Sequence, residues 1–182
     1  QPPKLTGAFA ASFGIAVDSK GNVFITGKNG KIIKIDPQGK AELFAGGGRN
    51  GIDGTGKDAG FSATKGIAVD SADNLYVADG RRIRKISPAA VVTTLAGTMT
   101  AAVKDGDRQT AAFWNPENIA IDKNGVIYVT DHAVAGANTG DYCIRKINEK
   151  GDVTTIKEGA ANWIIRYPRG LACDAAGNLY VC

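Results

Sequence analysis

Few residues in this chain have types and spacings that mark a chemistry. There is one histidine, His132, and there are three cysteines, Cys143, Cys173 and Cys182, at unrelated spacings and without a Cys-x-x-Cys pair. A zinc centre draws its ligands mainly from such side chains, and this set does not spell one. The cysteines read as buried free thiols. Oxygen ligands are better supplied. "DGTGKD" at 53–58 and "KDGDR" at 104–108 crowd Asp53, Asp58, Asp105 and Asp107 around glycines. Calcium accepts such donors and is the one candidate cofactor, but neither stretch has the trailing Glu that closes an EF-hand. Turn stabilisation is the expected role of these carboxylates. No Gly-x-Ser-x-Gly elbow or P-loop is present, and "GGGRNG" at 46–51 opens no helix.

Aromatic and basic residues offer binding instead of catalysis. Trp114 and Trp163 sit at comparable places in successive segments. They suit stacking against a sugar or base, or filling space between packed sheets. Phe61 and Phe113 are 52 residues apart and read as structural plugs. Lys34, Arg84, Lys85, Arg145 and Lys146 also recur. A ring of cations would take phosphates. Their repetition favours the other role, with stems covering apolar sheet and heads pairing with Asp79 and Asp131 or reaching water.

The elements that position these residues are spelled by a repeat. "GIAVDSKGNVFITG", "GIAVDSADNLYVADG", "NIAIDKNGVIYVTD" and "GLACDAAGNLYVC" are near-copies. Their leading aspartates, Asp18, Asp70, Asp122 and Asp174, are each 52 residues apart. Each is a strand, an Asp-led turn and a second strand, here A and B. "KIIKIDPQGKAELFAG", "RIRKISPAAVVTTLAG" and "CIRKINEKGDVTTIKEG" follow the first three copies and supply strands C and D. The strand segments are near-continuously apolar, which implies burial on both faces. Four antiparallel strands per period of this length predict an all-β chain, a β-propeller of four-stranded blades. The blades fall at about 14–46, 66–97 and 118–158, with half a blade at about 170–182.

These residues resemble NHL-repeat propellers of the secreted or periplasmic bacterial type. "GIAVD", "NLYVAD", "RIRKI" and "TTLAG" carry the resemblance, as do the connectors "DGTGKDAGF" and "DGDRQTAAF". It implies an extracellular or periplasmic protein, a six-bladed parent, and hence a partial propeller here. "TGKNG" lacks the Asp expected after the second strand, blade three inserts "HAVAGANTGDY", and "GAANWIIRYP" lacks the Asp-Gly element. An open blade edge also invites self-association.

Strand order places the function. The A–B and C–D turns are short, whereas the D–A connectors and the 132–142 insertion are long and lie on the opposite face. Loops on a rigid scaffold carry binding. The candidate ligand-binding residues are therefore Trp114, Asn115, Glu117, His132, Tyr142, Trp163 and Arg166. The expected function is a non-catalytic scaffold for a protein or carbohydrate ligand. The alternative is a six-bladed hydrolase or lyase with a central divalent metal, its catalytic residues partly in further blades. No apolar run is long enough to span a bilayer. The net charge of +4 is spread along the chain, which argues against nucleic acid.

Overall fold

The computed structural model describes residues 12–27, 29–134, 140–156 and 168–182. β1 (Ser12–Val17), β2 (Val23–Gly27), β3 (Lys31–Ile35) and β4 (Ala41–Ala45) form one antiparallel sheet in chain order. β5 (Gly54–Thr55) precedes β6 (Thr64–Val69), β7 (Leu75–Asp79), β8 (Arg82–Ile86) and β9 (Val91–Ala96). β10 (Pro116–Ile121), β11 (Ile127–Val134), β12 (Gly140–Ile147) and β13 (Val153–Ile156) make a third sheet. β14 (Leu171–Cys173) and β15 (Leu179–Val181) make a hairpin. Among the described residues the only helical turn is a 3-10 turn at Gly56–Asp58.

Two features depart from the sequence pattern. The second sheet has five strands, because β5 pairs with the outer strand β9 through Gly54–Val92 and Thr55–Val91. The connector was expected as a plain loop. It instead satisfies an edge that would otherwise expose unpaired backbone groups. In the third sheet Gly106 makes the matching bridge to Val153. Second, the inner strands start about two residues early, at Ser12, Thr64 and Pro116. Each carries a register shift just after its start, so the extra residues pair beyond a bulge.

The aspartates that mark the repeat build the A–B turns. The Asp18 carboxylate accepts backbone N–H bonds from Lys20 at 3.0 Å and Asn22 at 2.8 Å, and the Asn22 side-chain amide at 2.7 Å. Asp70, Asp122 and Asp174 accept from the equivalent turn amides. Gly21 has φ 78° and Gly177 φ 92°, a left-handed conformation that glycine adopts without strain. Asp73 takes that place in the second sheet with φ 62°, and its carboxylate accepts from the Ser19 backbone N–H and hydroxyl. Burial pushes Asp70 upward, but hydrogen bonds from Asn74, Tyr76 and Ala72 outweigh it and hold its carboxyl below the ordinary value. The Asn178 side chain and backbone hold Asp174 down at about 2. Burial, then the Asp70 charge, pushes the Tyr76 hydroxyl well above its ordinary value.

The chain forms two compact units, Gln1–Gly80 with Arg84–Thr94, and Arg81–Ile83 with Leu95–Cys182. In the first, Phe24, Ile32, Phe61, Ile67, Val77 and Ile86 belong to one buried cluster. Each such side chain contributes about 1.5–3 kcal/mol by leaving water. In the second, Phe113, Ile127, Val129, Ile144, Ile147 and Val153 are buried. Burial on both faces holds for β7, buried throughout, but not for β2, which alternates. β15 is largely exposed: Tyr180 is 57% exposed, against 8% at the equivalent Tyr76. A shallow apolar hollow of about 360 Å³ lies on that hairpin, lined by Leu171, Ala172, Tyr180 and Val181 among others. The thiols were expected to be buried, but Cys143 and Cys173 are half-buried and Cys182 is exposed.

Candidate functional site

The recurring arginines of strand C are wholly buried and each ties an incoming connector to its sheet. Arg84 donates from Nη1 to Asp79 at 2.9 Å and to the Gly60 carbonyl at 3.2 Å. Its Nη2 donates to Asp53 at 2.7 Å and to the Ile52 carbonyl at 3.2 Å. Arg145 repeats the pattern one period on. Its Nη1 meets Asp131 at 3.1 Å and Ala112 O at 2.9 Å, and its Nη2 meets Asp105 at 3.0 Å and Lys104 O at 2.9 Å. Phe61 and Phe113 lie against these guanidinium groups, with ring centroids 5.3 and 5.0 Å from Cζ. A buried charge persists only when paired and hydrogen-bonded, and the planar fork of arginine can bond two carboxylates and two carbonyls together.

The carboxylates have a second task. Asp79 accepts the Ser62 and Ala63 backbone N–H groups, and Asp131 accepts those of Trp114 and Asn115. The aspartate after strand B therefore fixes where the connector becomes strand A. Burial pushes the Asp131 carboxyl above its ordinary value, while the two N–H groups and Arg145 pull against it. Thr155 and Arg145 hold Asp105 low in spite of its partial burial. Asp53 and Asp105 were read as turn formers with calcium as the alternative. They are instead arginine partners that also bond Thr94 and Thr155. Asp107 does form a turn, accepting from Gln109 and Thr110. Among the described residues no group of three or more His, Cys, Asp or Glu is placed to hold a metal ion.

Where this connector enters the third sheet, five of the seven predicted ligand-binding residues are linked: Trp114 and Asn115 on the connector, Glu117 in β10, His132 in β11 and Tyr142 in β12. Trp114, partly exposed, follows Phe113 and is positioned through its backbone bond to Asp131. The Asn115 amide donates to Glu117 at 3.0 Å, and the His132 backbone N–H donates to the Asn115 carbonyl at 3.3 Å. His132 and Tyr142 are cross-strand partners with stacked rings, centroids 4.2 Å apart and planes 4° from parallel. The inserted segment was expected as a loop. Its flanks instead prolong β11 and β12, so His132 is a strand residue against an aromatic neighbour rather than a solvated loop histidine. Trp163 and Arg166 lie outside the described residues.

Sequence reasoning missed Arg81, in the turn between β7 and β8. A Cβ on Gly97 would lie 2.7 Å from the Arg81 carbonyl oxygen and 2.8 Å from the Phe113 ring, which puts this turn beside the aromatic connector. The signal was the doubled arginine of "GRRIRK", absorbed into the strand C pattern.

Solved structures of the same shape show what this arrangement of sheets is. A protein of unknown function from Bacteroides thetaiotaomicron matches with TM-score 0.74 and 18% identity, over 99% of this chain and 46% of that one. A gluconolactonase from Xanthomonas campestris matches with TM-score 0.65 and 16% identity, over 100% and 63%. The chain has a β-propeller fold. An auxiliary nutrient binding protein from Bacteroides thetaiotaomicron matches with TM-score 0.67 and 15% identity, over 92% and 44%. Propellers of this shape thus include both an enzyme and a binding protein, and at these identities the likeness establishes the fold alone. This chain spans less than two thirds of the length of each of the three. No family model and no curated protein matches it. Among the described residues no helix is long and apolar enough to cross a membrane.

Proposed function

We propose that this chain is part of an NHL-type propeller, extracellular or periplasmic, that binds a partner without catalysis through its D–A and B–C segments. The occupant that the residues favour is a glycan. The observation that carries this reading is the His132–Tyr142 stack, tied by the His132 backbone to Asn115, which follows Trp114 on the connector and bonds Glu117 in β10. Sugars present apolar C–H faces to aromatic rings and hydroxyls to amides and carboxylates, and such a mixture of a few polar groups with aromatic surface suits them. The backbone around the cluster is fixed by Asp131, so little ordering is needed when a ligand arrives.

A glycan array probed with the protein, with Tyr142→Ala and with Trp114→Ala tests this. The expected result is retention of a defined oligosaccharide class that either substitution weakens about tenfold or more, the size expected for a buried aromatic contact. Equal retention by all three proteins would overturn it. Capture of a folded protein but no glycan would replace the occupant by a protein. Turnover of a lactone or glycoside by the purified chain would favour the hydrolase or lyase alternative.

A further inference from the structure

We propose that Arg81 recognises an anionic group of the ligand, so that the glycan is an acidic one, bearing carboxylate or sulfate. The inference rests on the glycan reading above and narrows it. Arg81 is half-buried, and its Nε is shut away from water with no hydrogen-bond partner. Among the described residues no ion pair or hydrogen bond of its side chain is found. The enclosed Nε cannot meet a ligand, but a half-buried guanidinium whose Nη groups have no acceptor among the described residues can give them to an anion that arrives from outside.

The aspartates that end strand B and the glutamate after the aromatic connector are already committed. Asp79, two residues earlier in the chain, is held by Arg84, Ser62 and Ala63. Asp131 is held by Arg145, Trp114 and Asn115, and Glu117 accepts from Asn115. The orphaned Nε of Arg84 and Arg145 differ from that of Arg81, because their Nη groups each make four bonds inside the protein. Position also separates them. Arg81 lies in a two-residue turn on the loop face, its backbone against Gly97 and Phe113, one residue from Trp114. The first sheet has Gly30 at the equivalent place, so the charge is not part of the repeat. Arginine meets carboxylate or sulfate with paired N–H bonds, and neighbouring aromatic surface would seat the sugar ring that carries the anion.

Calorimetry with a galacturonate oligosaccharide, a sulfated oligosaccharide, inorganic sulfate and a neutral oligosaccharide of the same length tests this. The proteins are the unaltered chain, Arg81→Gln, Arg81→Lys, and Arg108→Gln as an exposed control. An acidic oligosaccharide should bind more tightly than the neutral one. Arg81→Gln should weaken it about tenfold, Arg81→Lys less, and Arg108→Gln not at all, with the melting temperature unchanged. Which acidic probe binds tells carboxylate from sulfate. Inorganic sulfate binding that Arg81→Gln abolishes would support the anion site independently of any sugar. Neutral and acidic probes bound equally, or acidic binding indifferent to Arg81→Gln, would overturn this inference and leave the glycan reading standing. No binding of any oligosaccharide or of inorganic sulfate would overturn both.

Discussion

The first sheet and the two that follow it are copies of one pattern, yet they handle their interiors differently. Where the second and third sheets bury Asp79 with Arg84 and Asp131 with Arg145, the first has Gly27 and Ile33. Ile33 is half-buried beside Ile32, a member of the apolar cluster, whereas Arg84 is fully buried in a polar one. The two changes go together, and neither half of the pair is left alone. Tyr76 and Tyr128 also give way to Phe24, whose ring meets Phe44 edge-on at 4.9 Å. A four-stranded sheet of this repeat therefore does not require the ion pair. What the pair adds is attachment of the incoming connector: Asp53 and Asp105 bring it to the arginine, and Asp79 and Asp131 bring its far end into strand A. Buried ion pairs often add little net stability over apolar packing, so specificity of chain path is the better account of why these are here.

Breaking one partner should produce the largest effect. Asp131→Ala leaves Arg145 buried without its fully buried counter-charge and frees two N–H groups, and should cost about 3–5 kcal/mol in urea unfolding. Asp79→Ala should do the same in the second sheet. Asp53→Asn should cost only about 1 kcal/mol, because Asp53 is half exposed and its bond is screened by water. A loss as large as that of Asp79 would mean that the connector, not the sheet, limits stability. Tyr76→Phe imports the first sheet's residue and removes the 3.0 Å hydroxyl bond to Asp70, for about 0.5–1.5 kcal/mol.

Acid provides a smaller test of the same contrast. The folded carboxyls of Asp70 and Asp174 lie below their ordinary value, so their contribution is present above about pH 4 and is lost as pH falls through the folded values, near 2 for Asp174. Stability should decline over that window, and less steeply in Tyr76→Phe. The Tyr76 hydroxyl is raised, so its contribution holds below pH 10 and is lost only in stronger alkali. A decline that Tyr76→Phe leaves unchanged would remove Asp70 from the account.

The repeat made most of this fold legible. Aspartates 52 residues apart fixed the turns, and the strands between them have one common shape. Pairing of Arg84 and Arg145 with Asp79 and Asp131 was readable because all four recur. The fifth strand was not, since "GT" at 54–55 is only two residues long, follows a turn-like Asp-Gly, and sits beside Asp53, whose bonds to Arg84 and Thr94 no local pattern announces. The partners of Asp53 and Asp105 were hidden for the same reason: 31 and 40 residues separate each from its arginine. Within the site, backbone bonds bring His132 to Asn115, and no side-chain pattern announces those. Arg81 was masked by the regular basic residues beside it.

The central claim is that aspartate and arginine in the later sheets form one coupled unit that the first sheet replaces as a whole. A double-mutant cycle on Asp79→Gly and Arg84→Ile, which installs the first sheet's residues, measures that coupling directly by urea unfolding. The account predicts a coupling of about 2–3 kcal/mol, with the double variant more stable than Asp79→Gly alone. Additive losses, leaving the double variant the least stable of the set, would contradict it.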